Sequence, residues 1–157
     1  MSRSKAKGTR FETACARWLT AALGVPVERR ALHGSGDMGD LFGLVAHGFT
    51  GIAECKDHNT FGRADVDKWR RECLNERDNA DAGFGVLIIH CASFGKCGAV
   101  EDSPTFRHNR ADVALADLCR IAPGMPQAAR GRLDERWVSL DLGTLVELMG
   151  GEVPKVG

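Results

Sequence analysis

The sequence predicts an α/β fold in which a mixed β-sheet is flanked by helices. Two amphipathic helical segments, residues 9–23 and 64–79, alternate with short apolar strand segments at residues 40–45, 50–56 and 85–91. A chain of 157 residues can bury one substantial core and leaves little room for a second. We therefore expect a single domain that spans the chain.

The first helix is predicted from apolar residues that recur at helical spacing. Gly24 and Pro26 mark its end, because neither residue continues a helix well. Residues 25–32 then alternate as a strand does, and a glycine-rich loop follows at residues 34–39. The apolar stripe of the helix consists of Phe11, Cys15, Trp18, Leu19 and Ala22.

Two short strands, residues 40–45 and 50–56, are close enough to form an antiparallel hairpin through His47-Gly48. Residues 64–79 form the second helix, and residues 85–91 are expected to be a central buried strand. The second helix places Val66, Trp69 and Cys73 on its apolar stripe and Arg63, Lys68, Arg70 and Arg71 on its exposed face. Trp18 and Trp69 are expected in the core.

The pattern weakens between residues 92 and 135, which we interpret as an insertion because this segment is longer than a simple connection between strands. Within it, residues 111–121 are predicted to form a short helix that Asn109 caps. A last strand is expected at residues 137–142 and a last helix at residues 144–149.

Composition indicates a folded protein outside the membrane, because no apolar run approaches the roughly 20 residues of a spanning helix. No secretory signal pattern follows the basic start, so a cytoplasmic location is expected, in the host cell if a phage encodes the chain. The cysteines lack the spacing of a disulfide scaffold and are expected to be reduced thiols, mostly buried. They are Cys15, Cys55, Cys73, Cys91, Cys97 and Cys119.

The formal net charge is zero, but its distribution along the chain is uneven. Residues 1–71 carry 12 Lys and Arg against 8 Asp and Glu, and the remainder carries 21 − 12 = 9 against 21 − 8 = 13. Several acids of the first part are those assigned below to a metal site, so its cationic surface could face a phosphate backbone.

Glu54 and Lys56 are the residues whose spacing points most directly to chemistry. Two positions apart on a strand, they project from the same face as a carboxylate and an ammonium group. Asp40 begins the neighbouring strand and can reach the same point. Two carboxylates for a divalent cation and a lysine near the developing charge are what phosphodiester hydrolysis requires. Asp37 is a rival to Asp40, which we prefer because it directly precedes the apolar strand.

The succession of these motifs resembles the PD-(D/E)XK nuclease superfamily. Lys7-Gly8-Thr9-Arg10-Phe11-Glu12 opens the first helix, His33-Gly34-Ser35-Gly36 forms a small loop, and Gly39-Asp40-Leu41-Phe42 precedes Ile52-Ala53-Glu54-Cys55-Lys56. This order is similar to that of archaeal-type Holliday junction resolvases and their phage relatives. The resemblance covers residues 5–91 and implies a restriction-endonuclease-like core.

The resemblance also implies roles for individual residues. Asp40 and Glu54 would ligate Mg²⁺, or Mn²⁺ as a substitute, with the Cys55 carbonyl as a further ligand. Lys56 would orient or activate the attacking water, and Glu12 would complete the acidic cluster directly or through water. Ser35 would match a loop serine that touches the scissile region. The implied activity is cutting of four-way DNA junctions by a homodimer, leaving a 5′-phosphate.

Basic residues surround this centre in the sequence and are expected to bind DNA phosphates. Such contacts carry no sequence information, so they predict affinity that falls steeply with salt and little base specificity. Together with Ser35, the residues assigned to DNA are Lys5, Lys7, Arg10, Arg30, His58 and Arg63, and Arg29 is a further basic neighbour.

Structural interpretations of the same acids remain open at this point. Glu12 lies three residues after Thr9, as in a capping box. Asp40 could be a turn acid, and Glu54 with Lys56 could be an exposed cross-strand pair. The alternatives for function are a PD-(D/E)XK nuclease for another DNA substrate, restriction-like or in repair, and an inactive DNA-binding module of the same fold.

Two further motifs resemble cofactor sites. Residues 34–39 match the dinucleotide pattern G-x-G-x-x-G, but no helix is predicted directly after the glycines, so no nucleotide cofactor is expected. His90, Cys91, Cys97 and His108 have zinc-ligand chemistry without zinc-knuckle spacing, so a structural zinc is the weaker hypothesis.

Overall fold

A computed structural model describes residues 2–30, 36–90, 98–124 and 136–156. In these ranges it contains ten helices and strands and a short 3-10 helix, Phe106–His108. In chain order they are α1 (Arg3–Leu23), β1 (Glu28–Arg29), β2 (Leu41–Ala46), β3 (Phe49–Lys56), α2 (Arg63–Asn79), β4 (Phe84–Ile89), β5 (Arg110–Ala114), α3 (Leu115–Ile121), β6 (Trp137–Asp141) and α4 (Leu142–Leu148). None of these helices is both long and apolar enough to cross a membrane.

The six strands form one sheet whose spatial order follows the chain, from β1 to β6. Neighbouring strands are antiparallel except for β3 and β4, which run parallel and are connected through α2. A parallel pair needs such a crossover, because the chain must return to the same end of the sheet. The predicted α/β class with a mixed sheet flanked by helices is confirmed at this level.

The helices cover the two faces of the sheet. Helices α1, α3 and α4 share one apolar core with Ala53 and Cys55 of β3. Helix α2 packs on the opposite face against Ile52, Leu87 and Ile89 through its own apolar stripe. Since side chains alternate along a strand, Glu54 and Lys56 fall on the α2 face.

Helix α1 begins six residues earlier than predicted. Ser2 caps it by accepting a hydrogen bond from the Lys5 N–H at 3.2 Å. At the other end Gly24 adopts a φ of 70° and donates to the Thr20 carbonyl, as a C-terminal glycine commonly does. Glu12 therefore lies inside the helix, and its interpretation as part of a capping box is wrong.

The β2–β3 hairpin is confirmed. His47 and Gly48 both have positive φ, 48° and 83°, as the two central residues of a type I′ turn require. Strand β2 contains an irregularity at Gly43, where φ is 94° and an added Cβ would collide with the Pro26 carbonyl. The preceding strand is shorter than predicted, since the described part of residues 25–32 contains only the two residues of β1.

The segment predicted as an insertion includes a strand of the sheet itself. Strand β5 pairs with β4 on one side and β6 on the other, so residues 110–121 belong to the core. The helix predicted at residues 111–121 is confirmed only as α3, because residues 111–114 pair as a strand. Asn109 does not cap it. The buried Asn109 amide instead donates to the carbonyls of Gly98 and Phe106, each at 2.9 Å.

The remaining predictions agree largely with the structure. Strands β4 and β6 and helices α2 and α4 lie where the sequence places them, and Trp18 and Trp69 are buried. Arg70 is an exception, since it is half-buried against Asp112 on β5 and not part of an exposed face. Cys15, Cys55 and Cys73 are buried free thiols and Cys119 is a half-buried one, whereas Cys91 and Cys97 lie outside the described residues.

Asp117 joins α2, β4 and α3 from a fully buried position. Its carboxylate accepts hydrogen bonds from Arg77 at 2.8 Å, from the Gly85 N–H at 3.1 Å and from Arg120 at 3.2 Å. Burial alone would lower the pKa of Arg77, but the neighbouring Asp117 and Asp78 outweigh it and raise that pKa. A buried charge that is fully hydrogen-bonded holds these elements in register, but it becomes costly when a partner is removed.

We expect Asp117→Ala to lower the free energy of unfolding by about 3–5 kcal/mol, because Arg77 and the Gly85 N–H would lose their acceptor. Urea denaturation followed by circular dichroism measures this loss. Asp102→Ala removes an exposed acid and should change stability by no more than about 0.5 kcal/mol. Equal losses in the two variants would contradict a special role for Asp117.

Candidate functional site

Asp40 is fixed beside β3 by two hydrogen bonds. It stands immediately before β2, and its N–H donates to the Ala53 carbonyl at 3.0 Å. Its side-chain Oδ2 accepts the Cys55 N–H at 2.8 Å. Because the Ala53 and Cys55 backbones flank Glu54, this arrangement brings the Asp40 carboxyl group next to that of Glu54.

Glu54 and Lys56 share one face of β3, as their spacing predicted. The Lys56 ammonium lies 3.3 Å from Glu54 and 3.6 Å from Glu72 of α2, and 5.8 Å above the Trp69 ring. Glu54 is only 6% exposed. Its interpretation as half of an exposed cross-strand pair is therefore wrong.

Glu76 of α2 is a member of the site that sequence reasoning missed. It is 5% exposed, and its carboxyl group lies close enough to that of Glu54 to raise the pKa of Glu54. The signal was present in the spacing, because Glu76 continues the apolar stripe of Val66, Trp69 and Cys73 by a further three residues. An acid at a core position of an amphipathic helix calls for a partner or a ligand.

Burial and mutual repulsion make these three carboxyl groups unusually hard to ionise. Burial, followed by the contact with Glu76, raises the pKa of Glu54 to about 9. Burial and the neighbouring Glu54 raise the pKa of Asp40 to about 7, although the Cys55 N–H opposes this. Burial chiefly raises the pKa of Glu76 to about 7. Among the described residues, one oxygen of Glu54 and one of Glu76 have no hydrogen-bond partner.

Lys56 and Glu12 complete the charge pattern. Burial alone would lower the pKa of Lys56, but Glu54, Glu72 and Asp40 outweigh it and raise that pKa, so the ammonium stays protonated. Glu12 reaches the cluster from α1 and pairs with Arg29 at 3.1 Å. Burial, followed by repulsion from Asp40, raises the pKa of Glu12. The cluster thus holds more carboxyl groups than nearby cations.

The donor set fits a hard divalent cation. In the described part of the chain, no three Asp, Glu, His or Cys side chains already stand in a metal-binding arrangement. Mg²⁺ does not need one, since proteins usually hold it through one or two carboxylates and several waters. Asp40 and Glu54 could supply two oxygens, and the unpartnered oxygens of Glu54 and Glu76 are buried acceptors that a cation would satisfy.

Two further predictions about ligands have different outcomes. Asp37 is exposed, and its carboxylate accepts the Gly39 N–H at 3.0 Å, so this acid caps its own loop and Asp40 is the residue beside Glu54. The Cys55 thiol lies on the opposite face of the sheet, where burial and the adjacent Cys15 raise its pKa. The Cys55 carbonyl as a metal ligand stays a prediction.

Part of the predicted phosphate-binding set lines one cleft. A cleft of about 570 Å³ at the end of the sheet is lined by Lys7, Arg10 and His58, together with Arg3 and Asp57. Lys7 pairs with Asp57 at 3.3 Å, and the His58 ring packs on Trp69. The other residues of the set are more scattered: Lys5 is exposed, Arg30 packs on Phe42, Arg63 begins α2, and Ser35 lies outside the described residues.

The two motifs that resemble cofactor sites have other local structure. Strand β2, not a helix, follows Gly39 and Asp40, and residues 34 and 35 lie outside the described ranges. Of the zinc-type residues, Cys91 and Cys97 also lie outside them. His90 Nδ1 contacts Asp57 at 2.8 Å, and His108 Nδ1 contacts Asp141 at 2.6 Å.

Comparison with models of known families, with curated proteins and with solved structures finds no match for this chain.

We expect the metal-free protein to lose stability as the pH rises from about 4.5, the ordinary pKa of a glutamate, to about 9, the pKa of Glu54 in the folded protein. The pKa values of Asp40, Glu54 and Glu76 are raised above those of the unfolded chain, so the folded state holds more protons in this window and stability falls with pH. Thermal unfolding in EDTA measures the effect. Glu54→Gln should make the decline shallower, and Glu28→Gln, at an exposed acid, should not.

Proposed function

We propose that this chain is a metal-dependent DNA endonuclease. The observation that carries the proposal is the convergence of Asp40, Glu54 and Glu76 around buried, unpartnered oxygens, with the Lys56 ammonium 3.3 Å from Glu54. A structural ion-pair network would balance these acids with cations, as Asp117 is balanced. Here the acids outnumber the cations, which favours a site that takes up a positive ion.

The proposed roles follow from where each group lies. Asp40 and Glu54 would hold Mg²⁺ or Mn²⁺, Glu12 would complete the acidic cluster directly or through water, and Glu76 would add negative charge beside Glu54. The bound ion supplies Lewis-acid polarisation of the scissile phosphate and lowers the pKa of a water nucleophile. Asp40 and Glu54 would release their protons on binding the ion, because metal ligation requires the ionised carboxylate.

Lys56 acts as a cation in this proposal and not as a general base. The neighbouring acids raise its pKa, so the ammonium is protonated at neutral pH and cannot accept a proton from water. It can donate hydrogen bonds to a phosphate oxygen and to the attacking water, and it stabilises the negative charge that develops in the transition state. The half-exposed Glu72 of α2 holds the Lys56 ammonium beside Glu54 through a second ion pair.

DNA is the proposed substrate because cationic groups continue from Lys56 over the end of the sheet. The cleft of Lys7, Arg10 and His58 begins at Asp57, the residue after Lys56. Its side chains are suited to phosphates and offer no obvious arrangement for reading bases, so the proposal includes little sequence specificity. Branched DNA, above all the four-way junction, and a homodimer that makes two symmetric cuts are proposed from the sequence resemblance.

Glu54→Gln and Lys56→Ala should each lower the cutting rate at least about a hundredfold, because one removes a metal ligand and the other a transition-state cation. The assay incubates labelled four-way junctions, flaps and linear duplex with protein in Mg²⁺ or in EDTA. Wild-type cutting should require the metal, and a preference for the junction would support the narrower proposal.

Lys155→Ala is the matched control, since it removes an exposed lysine from the C-terminal segment. Cutting that survives both Glu54→Gln and Lys56→Ala would sink the assignment of the site. Junction binding without metal-dependent cutting by the wild type would instead favour an inactive DNA-binding module, and equal cutting of all substrates would favour a nuclease of a different specificity.

Glu76→Gln should lower activity by about 10- to 100-fold, the loss typical of residues that act on a metal through its direct ligands. The half-saturating Mg²⁺ concentration should rise as well, because the substitution removes negative charge beside Glu54. A Mg²⁺ titration of the cutting rate measures both quantities. An unchanged Mg²⁺ dependence would show that Glu76 only packs against the site.

A further inference from the structure

A second cationic pocket, of about 500 Å³, lies apart from the proposed metal site. Three arginines line it, Arg63, Arg70 and Arg110, together with the aromatic ring of Phe61 and the acid Asp67. Of these residues, only Arg63 belongs to the set expected from the sequence to bind DNA, and the metal-dependent chemistry uses none of them.

The register of the sheet gives the position of this pocket relative to Lys56. Lys56 pairs with Ile89, and Ile89 pairs with Arg110, so the three share one row and one face of the sheet. Two strand spacings separate Lys56 from Arg110 on β5, which is about 10 Å. Helix α2 lies between them: its Glu72 contacts Lys56, whereas its Arg70 contacts Asp112 on β5. The pocket and the metal site therefore occupy opposite flanks of α2.

The arginines are held in place by a buried anchor. Asp112 is 0% exposed and accepts hydrogen bonds from Arg70 at 2.9 Å, from Arg110 at 2.8 and 3.0 Å and from Ser139 at 2.8 Å. Arg70 also lies 5.2 Å above the Trp137 ring. One carboxylate thus positions two guanidinium groups, and with Arg63 and Asp67 the local count is three cations against two acids.

We propose that this pocket binds a phosphate group of the nucleic acid, separate from the phosphate that is cut. Guanidinium groups recognise phosphate oxygens through paired hydrogen bonds, and groups that are already oriented lose little freedom on binding. The proposal rests on the proposed function and adds to it a second contact with the DNA backbone. A nucleic acid that contacts both flanks of α2 spans at least the roughly 10 Å between Lys56 and Arg110.

The experiment measures DNA binding without cutting. Fluorescence anisotropy follows a fluorescein-labelled DNA duplex titrated with the full chain in EDTA, over a series of salt concentrations. Arg63→Glu should lower the affinity about tenfold at low salt and reduce the slope of log affinity against log salt by about one, the change for one lost phosphate contact. Arg71→Glu makes the same charge change at an exposed position of α2 outside the pocket and serves as the control.

A second variant tests the pocket in the opposite direction. Asp67→Asn removes an acid that lines it, so DNA affinity should rise several-fold at low salt, which misfolding could not produce. Asp81→Asn is its control, because Asp81 is exposed beyond the far end of α2 and its φ of 52° is one that asparagine tolerates. Affinity should not change in this control.

The outcomes separate this inference from the nuclease proposal. If Arg63→Glu changes DNA affinity no more than Arg71→Glu, or Asp67→Asn no more than Asp81→Asn, the proposal that this pocket binds a phosphate is overturned, whatever the cutting assay shows. If both variants shift DNA affinity as expected, the pocket stands even where wild-type protein fails to cut. A wild-type protein that does not bind the duplex in EDTA also overturns it.

Discussion

The hydrogen bond from the Cys55 N–H to the Asp40 carboxylate is the interaction on which the site depends. It ties the residue before β2 to the end of β3, so that the half-buried Asp40 carboxyl group meets the buried one of Glu54 where neither would ionise easily. The hairpin, the register of β2 on β3 and the packing of α2 over Glu54 all keep this contact in place. Without it, repulsion from Glu54 would favour an Asp40 side chain turned toward solvent.

The sequence predicted this part of the molecule because its signals are local. His47-Gly48 specifies a tight turn, and two residues on one strand must share a face whatever the rest of the chain does. Glu54 and Lys56 follow from that geometry, and Asp40 from its place at the start of the partner strand. The prediction failed where the partner is distant in sequence. Glu76 joins Glu54 only because α2 folds back over β3, which a single amphipathic stripe does not specify.

Strand β5 shows the same limit. Residues 111–114 carry alanines that suit a helix, yet pairing with β4 and β6 outweighs this weak preference. Asp112 depends on the same pairing, because its partner Arg70 lies 42 residues earlier in the chain. Local patterns thus located most of the helices and strands. The pocket of Arg63, Arg70 and Arg110 could not be predicted in this way, because it depends on the order of the strands and on how α2 packs across them.

The buried acids fall into two groups, one whose charges are paired with arginines and one that has too few cations nearby. Asp112 and Asp117 are fully buried, and each is hydrogen-bonded by two arginines, so their charges are satisfied within the folded chain. Glu54 and Glu76 are almost as buried but rely on one lysine and on each other. Selection for stability alone would favour the first arrangement, because neutral or paired groups avoid the cost of burying charge. The proposed cation site accounts for an unbalanced cluster beside two well-balanced ones, because a ligand of positive charge would offset the surplus of acids.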